Sequence, residues 1–201
     1  MIIVISIISV LLGLLYGALE RAQKFSRRTI TYTELKNIEA AFKQYHAHYH
    51  TWPSNAVASV QITSGEDQGF VLDDTIAKLL QGLRDNSDSQ EAIQFNPEAI
   101  PFIEFSRFSP VMHHPVNPFK SNNNTPTDTT RSYKVLFDSN GDRRIDIPLD
   151  SDAPGTPTNT PVIASIAVWT VIPATRQTDS SGQAENVGDV IFGSWDSFNV
   201  K

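Results

Sequence analysis

Residues 2–50, IIVISIISVLLGLLYGALERAQKFSRRTITYTELKNIEAAFKQYHAHYH, decide the fold. They read as one helix with two halves of different character. From Ile2 to Leu19 no side chain is charged, a length close to that needed to cross a bilayer core. Glu20 and Arg21 close the apolar run, yet nothing closes the helix. No proline occurs before Pro53, and the only glycines are Gly13 and Gly17. At 1.5 Å per residue the rod is about 75 Å long, so much of it must stand in water. In that part Leu35, Ile38, Phe42, Tyr45 and Tyr49 recur every three or four residues as one narrow apolar seam. Lys36, Asn37, Glu39, Lys43 and Gln44 lie between them as a solvated face. Membrane span and domain spine are therefore expected to be one element. The span covers 1–20, its continuation in water 21–52, and an α+β domain follows over 53–201.

Composition fits that division. The chain has 201 residues, 40% of them hydrophobic, which is enough for one folded domain behind an anchor. It has no cysteine, which excludes disulfides and thiolate metal sites. The net charge of −6 is unevenly spread. Residues 1–28 carry Arg21, Lys24, Arg27 and Arg28 against Glu20, leaving 12 of the 16 basic and 21 of the 22 acidic groups to residues 29–201. A domain with nine excess negative charges is a poor nucleic-acid binder, and none is expected as a partner. It suits a soluble surface or one that takes up cations. The apolar segment lacks a basic n-region and runs into the seam without a loop, which argues against a cleaved signal peptide.

Beyond the helix, Ser54–Asp67 is polar and turn-rich and reads as loop. DDTIAKLLQGLRD (73–85) predicts a short helix capped by Asp73 or Asp74, with Ile76, Leu79, Leu80 and Leu83 on one face. AIPFIEFSRF (99–108) alternates like a half-buried strand, and Ser109–Thr130 is a long Pro-, Asn- and Thr-rich loop. VIASIAVWTVI (162–172) is the strongest strand signal, β-branched and uncharged, and is expected inside the sheet.

Two stretches carry possible chemistry. SYKVLFDSNGDRRIDIP (132–148) reads as a hairpin of Tyr133–Phe137 and Arg144–Ile147 around Asn140-Gly141. Asp138, Asn140, Asp142 and Asp146 also occupy positions 1, 3, 5 and 9 of a calcium loop, with Ile145 at the apolar position 8. Arg143 stands where glycine is wanted, Leu149 where a bidentate carboxylate is wanted, and flanking helices are missing. A plain hairpin and a hairpin with a weak calcium site both remain open; a true EF-hand does not. The second stretch, 175–189, gathers Asp179, Glu185 and Asp189 in a glycine-containing loop, a donor set for a hard cation or simply a solvated loop.

Histidines are less telling. His46 and His50 share a helix face at i, i+4, with His48 on another, but the sequence between them lacks the glutamate of a zinc-hydrolase motif. His113-His114 lies in a loop. No Ser/His/Asp ordering, phosphate loop or paired-acid pocket stands out, so no enzyme is expected. Gly13 and Gly17 form a G-x-x-x-G pair that permits close helix contact in lipid, or reflect ordinary glycine use in a membrane helix.

The run ISIISVLLGLLYGALERAQKFSRR (5–28) resembles the N-terminal helix of type IV pilins and type II secretion pseudopilins. YHAHYHTWP (45–53) is similar to the Tyr-rich end of that helix and its aromatic-Pro step. IAVWTVIP (166–173), an acidic glycine-containing loop and GDVIFGSW (188–195) resemble the closing strand, calcium loop and ending of the major pseudopilin. Together they cover about half the chain. The resemblance implies a pilin-like α+β fold: a long N-terminal transmembrane-plus-spine helix packed on a small antiparallel β-sheet with long loops. It implies a single-pass protein of the bacterial inner membrane with a periplasmic C-terminal domain. Its partners would be copies of itself through the N-terminal helices, other pseudopilins and secretion-machinery proteins. Calcium is the implied ligand, with Asp179 and Asp189 singled out, and Gly17 aligns with a helix-weakening proline. A type IV pilin and a non-polymerising, membrane-anchored calcium-binding ectodomain are the alternative readings. Aligned on ALERAQ (18–23), Met1 falls just after the position of the family's glutamate. The leader, aromatic residue and glutamate would then lie ahead of Met1, or prepilin processing would not apply. Four basic groups directly behind the span bias that end toward the cytoplasm; a basic leader would reverse the bias.

Overall fold

The first helix forms as its sequence requires. α1 runs without interruption over Ile2–Tyr49. His50 ends it in the left-handed conformation, φ 57°, its N–H donating to the His46 carbonyl at 2.8 Å. The structure, a computed structural model, describes residues 2–53, 58–83, 94–105, 107–108, 114–119, 131–148, 159–172, 177–178, 184–185 and 190–195, with the side chains of α1 described from Leu15 onward. Among these described residues no helix is long and apolar enough to cross a membrane; the side chains of Ile2–Leu14 lie outside that description.

The predicted seam is buried. Leu35, Ile38, Phe42 and Tyr45 are shielded from solvent, Tyr49 is half-buried, and Thr31 and Ala41 extend the stripe. Each fully buried Leu, Ile or Phe of this kind contributes roughly 1.5–3 kcal/mol of transfer free energy. Against the seam lies a five-stranded antiparallel sheet built from β1 (Gln61–Ser64), β2 (Asp67–Val71), β3 (Lys134–Phe137), β6 (Ile166–Ile172) and β9 (Val190–Gly193), in that spatial order. α2 (Asp74–Gln81) closes the same side with Ile76, Leu79 and Leu80. Asp73 caps it: Oδ1 accepts from Ile76 N at 3.0 Å, and Oδ2 from Ser59 N at 2.6 Å. Gly82 ends it at φ 64°, which leaves Leu83 52% exposed rather than on the expected apolar face.

The opposite face of the sheet is covered as well. β4 (Arg144–Pro148) and β5 (Asn159–Ile163) form a two-stranded ribbon whose Ile145, Ile147 and Val162 pack on Leu136, Ala167 and Trp169. Strand side chains alternate between faces. Val135, Phe137, Ile166 and Val168 therefore meet the helices, while Leu136, Ala167 and Trp169 meet the ribbon. Helices, sheet and ribbon make three layers around two apolar clusters. A short pair, β7 (Gln177–Thr178) and β8 (Ala184–Glu185), completes the elements.

The α+β fold with a long N-terminal helix on an antiparallel sheet agrees with expectation; four local readings do not. Residues 132–148 are not a hairpin. β3 already has β2 and β6 on its two edges, so β4 pairs with β5 in another layer. The 162–172 run is two strands, broken at Ala164-Ser165, where the chain returns from ribbon to sheet. The crossings support each other, Asp138 N donating to Ser165 O at 3.1 Å and Ala164 N to Arg143 O at 3.2 Å. β6 is internal, between β3 and β9, as expected of so apolar a strand. Residues 99–105 form no strand. Phe102 N donates to the Leu80 carbonyl at 2.8 Å, and Phe102, Ile103 and Phe105 cover the core from irregular backbone. The supposed loop 54–67 instead contains β1, joined to β2 across Gly65-Glu66.

Candidate functional site

Two regions stand out, the forward half of α1 and the place where α1 ends. Residues 15–26 are exposed without a break. Leu15 is 63%, Tyr16 75%, Leu19 53% and Phe25 46% solvent-accessible. A Cβ added at Gly17 would meet nothing within 4 Å; the surroundings of Gly13 lie outside the described side chains. Glu20 and Lys24 pair at 2.8 Å, and no carboxylate among the described residues pairs with Arg21, Arg27 or Arg28. Thr31 is the first fully buried residue of the described part of α1, its hydroxyl donating to the Arg27 carbonyl of the preceding turn at 2.9 Å. The seam residues proposed for helix packing, Leu35, Ile38, Phe42, Tyr45 and Tyr49, are occupied within the chain, against its own sheet and α2.

Polar contacts anchor the seam at both ends. Tyr133 donates its hydroxyl to Glu34 Oε2, and Arg107 Nε lies 3.8 Å from Glu34 Oε1. Burial raises the Glu34 pKa above the usual carboxylate value, against the opposing pull of Tyr133 and Arg107. Burial, then the adjacent Glu34 charge, holds Tyr133 well above an ordinary phenol. At the other end Tyr45 Oη donates to Phe95 O at 2.6 Å and Tyr49 Oη to Asn96 Oδ1 at 2.7 Å. Burial, helped by Tyr49, pushes the Tyr45 hydroxyl up to about 12.

The loop between β3 and β4 is closed by side chain–backbone hydrogen bonds. Asp138 Oδ1 accepts from Gly141 N at 2.7 Å and Oδ2 from Arg143 N at 2.9 Å. Asn140 Oδ1 accepts from Asp142 N at 3.0 Å, and Asp142 Oδ1 from Arg144 N at 2.7 Å. Arg143, at the position where glycine was wanted, adopts φ 63° nonetheless. The fold adds a carboxylate the sequence reading missed. Asp67 opens β2 and accepts from Ser139 N at 3.1 Å. Burial first, then the charges of Asp138, Asp142 and Asp146, raise its pKa, against the Ser139 bond. Its only sequence signal was the Gly65-Glu66 turn, and the pairing of β2 with β3 brings it beside Ser139, 72 residues further along the chain. Asp146 turns to Arg144, with Nε 3.1 Å from Oδ1. Among the described residues no group of three or more His, Asp or Glu side chains is arranged to hold a metal ion. In the second candidate loop Asp179 and Asp189 lie outside the described residues, and Glu185 sits on β8 without a described side chain.

Beside the first loop a cleft of about 500 Å³ opens at the end of α1, lined by residues of 46–53, Gln68 and residues of 137–141. Trp52 stacks on Phe137 at 4.8 Å and 22°, and the His46 ring lies 4.2 Å from Trp52. His46 and His50 both line this cleft. His48 points elsewhere, Nε2 3.4 Å from Glu98 Oε2. His114 is buried, Nε2 2.7 Å from Ser132 Oγ; His113 lies outside the described residues.

No family model, curated protein or solved structure matches this chain.

Proposed function

We propose that this chain is a structural subunit of a type II secretion pseudopilus, anchored in the bacterial inner membrane by the front of α1 and assembling through that helix to support protein secretion. The observation that carries this reading is the contrast within one helix. From Thr31 on one stripe of α1 belongs to the core, whereas Leu15, Tyr16 and Leu19 each keep more than half of their surface exposed. Such a surface demands lipid or other helices. The apolar run Ile2–Leu19 lengthens it, and the resemblance of residues 5–28 and 45–53 to pilin-like helices supplies the class. Before assembly the rod stands in the membrane, single-pass, with the acidic α+β domain in the periplasm. During assembly helix-to-helix burial, with copies of itself and with other pseudopilins and secretion-machinery proteins, replaces lipid. The work is mechanical rather than catalytic. A type IV pilin subunit built on the same helix is the nearest alternative.

Mass spectrometry of the protein from native membranes tests the reading. An N-methylated aromatic residue a few positions ahead of Met1, followed by glutamate at the fifth place, is the expected result. An unprocessed chain beginning at Met1 would overturn it and leave an anchored, non-polymerising ectodomain.

One observation favours a calcium-binding role for that ectodomain: the Asp138–Asp146 loop, with the backbone turns and the positive φ of Arg143 that a cation loop uses. Calorimetric titration should give a millimolar-range calcium site that Asp142→Ala abolishes. Heat unchanged by that substitution would move the metal to the 175–189 loop, and no heat at all would remove it.

A further inference from the structure

The cleft at the end of α1 joins two kinds of surface. Its wall is aromatic, the Trp52–Phe137 stack, and its lip is polar and anionic, with Asp138, Asn140 and Gln68. The last carbonyls of α1, the negative end of the helix dipole, face the same region. Asp67 accepts from the backbone of Ser139, a residue of the cleft's lip, at 3.1 Å, and Arg143 and Arg144 follow in the same loop. Among the described residues no Lys or Arg lines the cleft. An apolar stem bearing a cationic head fits such a site, which describes an arginine or lysine side chain.

The same chain carries such groups elsewhere. Arg21, Lys24 and Arg28 are exposed and share a helix face, at spacings of three and four. Arg28 and His46 are eighteen residues apart, five turns at 3.6 residues each, so this basic collar lies on the cleft's own side of the rod. From Arg28 to Thr51 at the cleft is about 35 Å along the axis, so one chain cannot fill its own cleft.

Resting on the filament reading above, we infer that the cleft receives the basic collar of a second copy of this chain. Charge complementarity commits the occupant, and the contact is heterologous, pairing two different patches. Because both patches lie on one face, the donor copy must be turned about the rod as well as slid along it by about 35 Å. That operation is a screw, and its repetition makes an open filament rather than a closed pair.

The absence of native cysteine allows a direct test on the full chain in membranes. Disulfides need Cα atoms within about 7 Å, so an Arg28→Cys/Thr51→Cys variant can oxidise only between copies. A ladder of covalent oligomers, not given by either single variant, is expected. Tyr16→Cys reports rod-to-rod contact separately. Tyr16→Cys dimers without the ladder would overturn the collar contact and leave the filament reading standing; neither product would overturn both. A second arm uses charge. In the Tyr16→Cys background Thr51→Lys should cut dimer yield about tenfold by repelling the collar, and adding Arg28→Glu should restore it. An unchanged yield with Thr51→Lys would overturn the inference.

Discussion

The forward and rear halves of α1 share one helix and one secondary-structure logic, yet they meet opposite surroundings. In the rear half apolar residues are confined to a stripe, and the stripe is filled by the chain's own sheet and α2. In the forward half apolar residues point in several directions, and Leu15, Tyr16 and Leu19 each stay more than half exposed. A narrow seam signals a partner within the molecule. An apolar surface all round signals one outside it. The halves should therefore answer differently to the same kind of change.

Truncation gives the largest difference. Phe42→Ala removes a ring packed on Phe70 and Phe137 and should cost about 3–5 kcal/mol in urea unfolding. Leu19→Ala should stay within about 0.5 kcal/mol while weakening assembly. Equal losses would erase the distinction between the halves. Glycine substitutions follow. A Cβ at Gly69 would sit 1.9 Å from the Val135 carbonyl oxygen, so Gly69→Ala must push β2 off β3 and should lower stability by about 2 kcal/mol. Gly17→Ala meets open space and should stiffen the rod by about 1 kcal/mol of helix propensity, visible as slower amide exchange.

A smaller effect separates the halves by pH. Glu34 is held above its unfolded pKa by burial in the rear half. Between the unfolded and folded values the native state binds the extra proton, so the Glu34 contribution falls as pH rises through that window. Glu34→Gln should remove this downward slope, measured as the difference between the two proteins' urea midpoints from acid to neutral pH. Identical pH profiles would show that the carboxyl is not perturbed. The smallest change concerns the element that helps to cover the seam. Asp73→Ala strips the cap of α2 and should cost about 1 kcal/mol, with the first amides of α2 exchanging faster.

What the sequence made legible was local. The 3.6-residue rhythm of Leu35, Ile38, Phe42 and Tyr45 needs no knowledge of the rest of the chain, and neither does a cap at Asp73 or Asp74, of which the structure uses Asp73. β1 was hidden because Gln61–Ser64 is a polar edge strand with little apolar alternation. The layer change after Phe137 was hidden because reading it requires knowing that both edges of β3 are taken. Phe102, Ile103 and Phe105 looked like a strand because irregular backbone can also present apolar residues to a core. At the candidate loop Asp138, Asn140 and Asp142 could be read from their spacing, whereas Asp67 joins them only through the sheet.

The joining of α1 to its domain has a mechanical side. A pull along the rod, parallel to the seam, loads Leu35, Ile38, Phe42 and Tyr45 together instead of peeling them away one at a time. The Glu34–Tyr133 contact at one end and the Tyr45–Phe95 and Tyr49–Asn96 contacts at the other lie across that direction like rivets at the two ends of a lap joint. Tension applied at the front of the rod would thus reach the sheet as shear, spread over the whole seam.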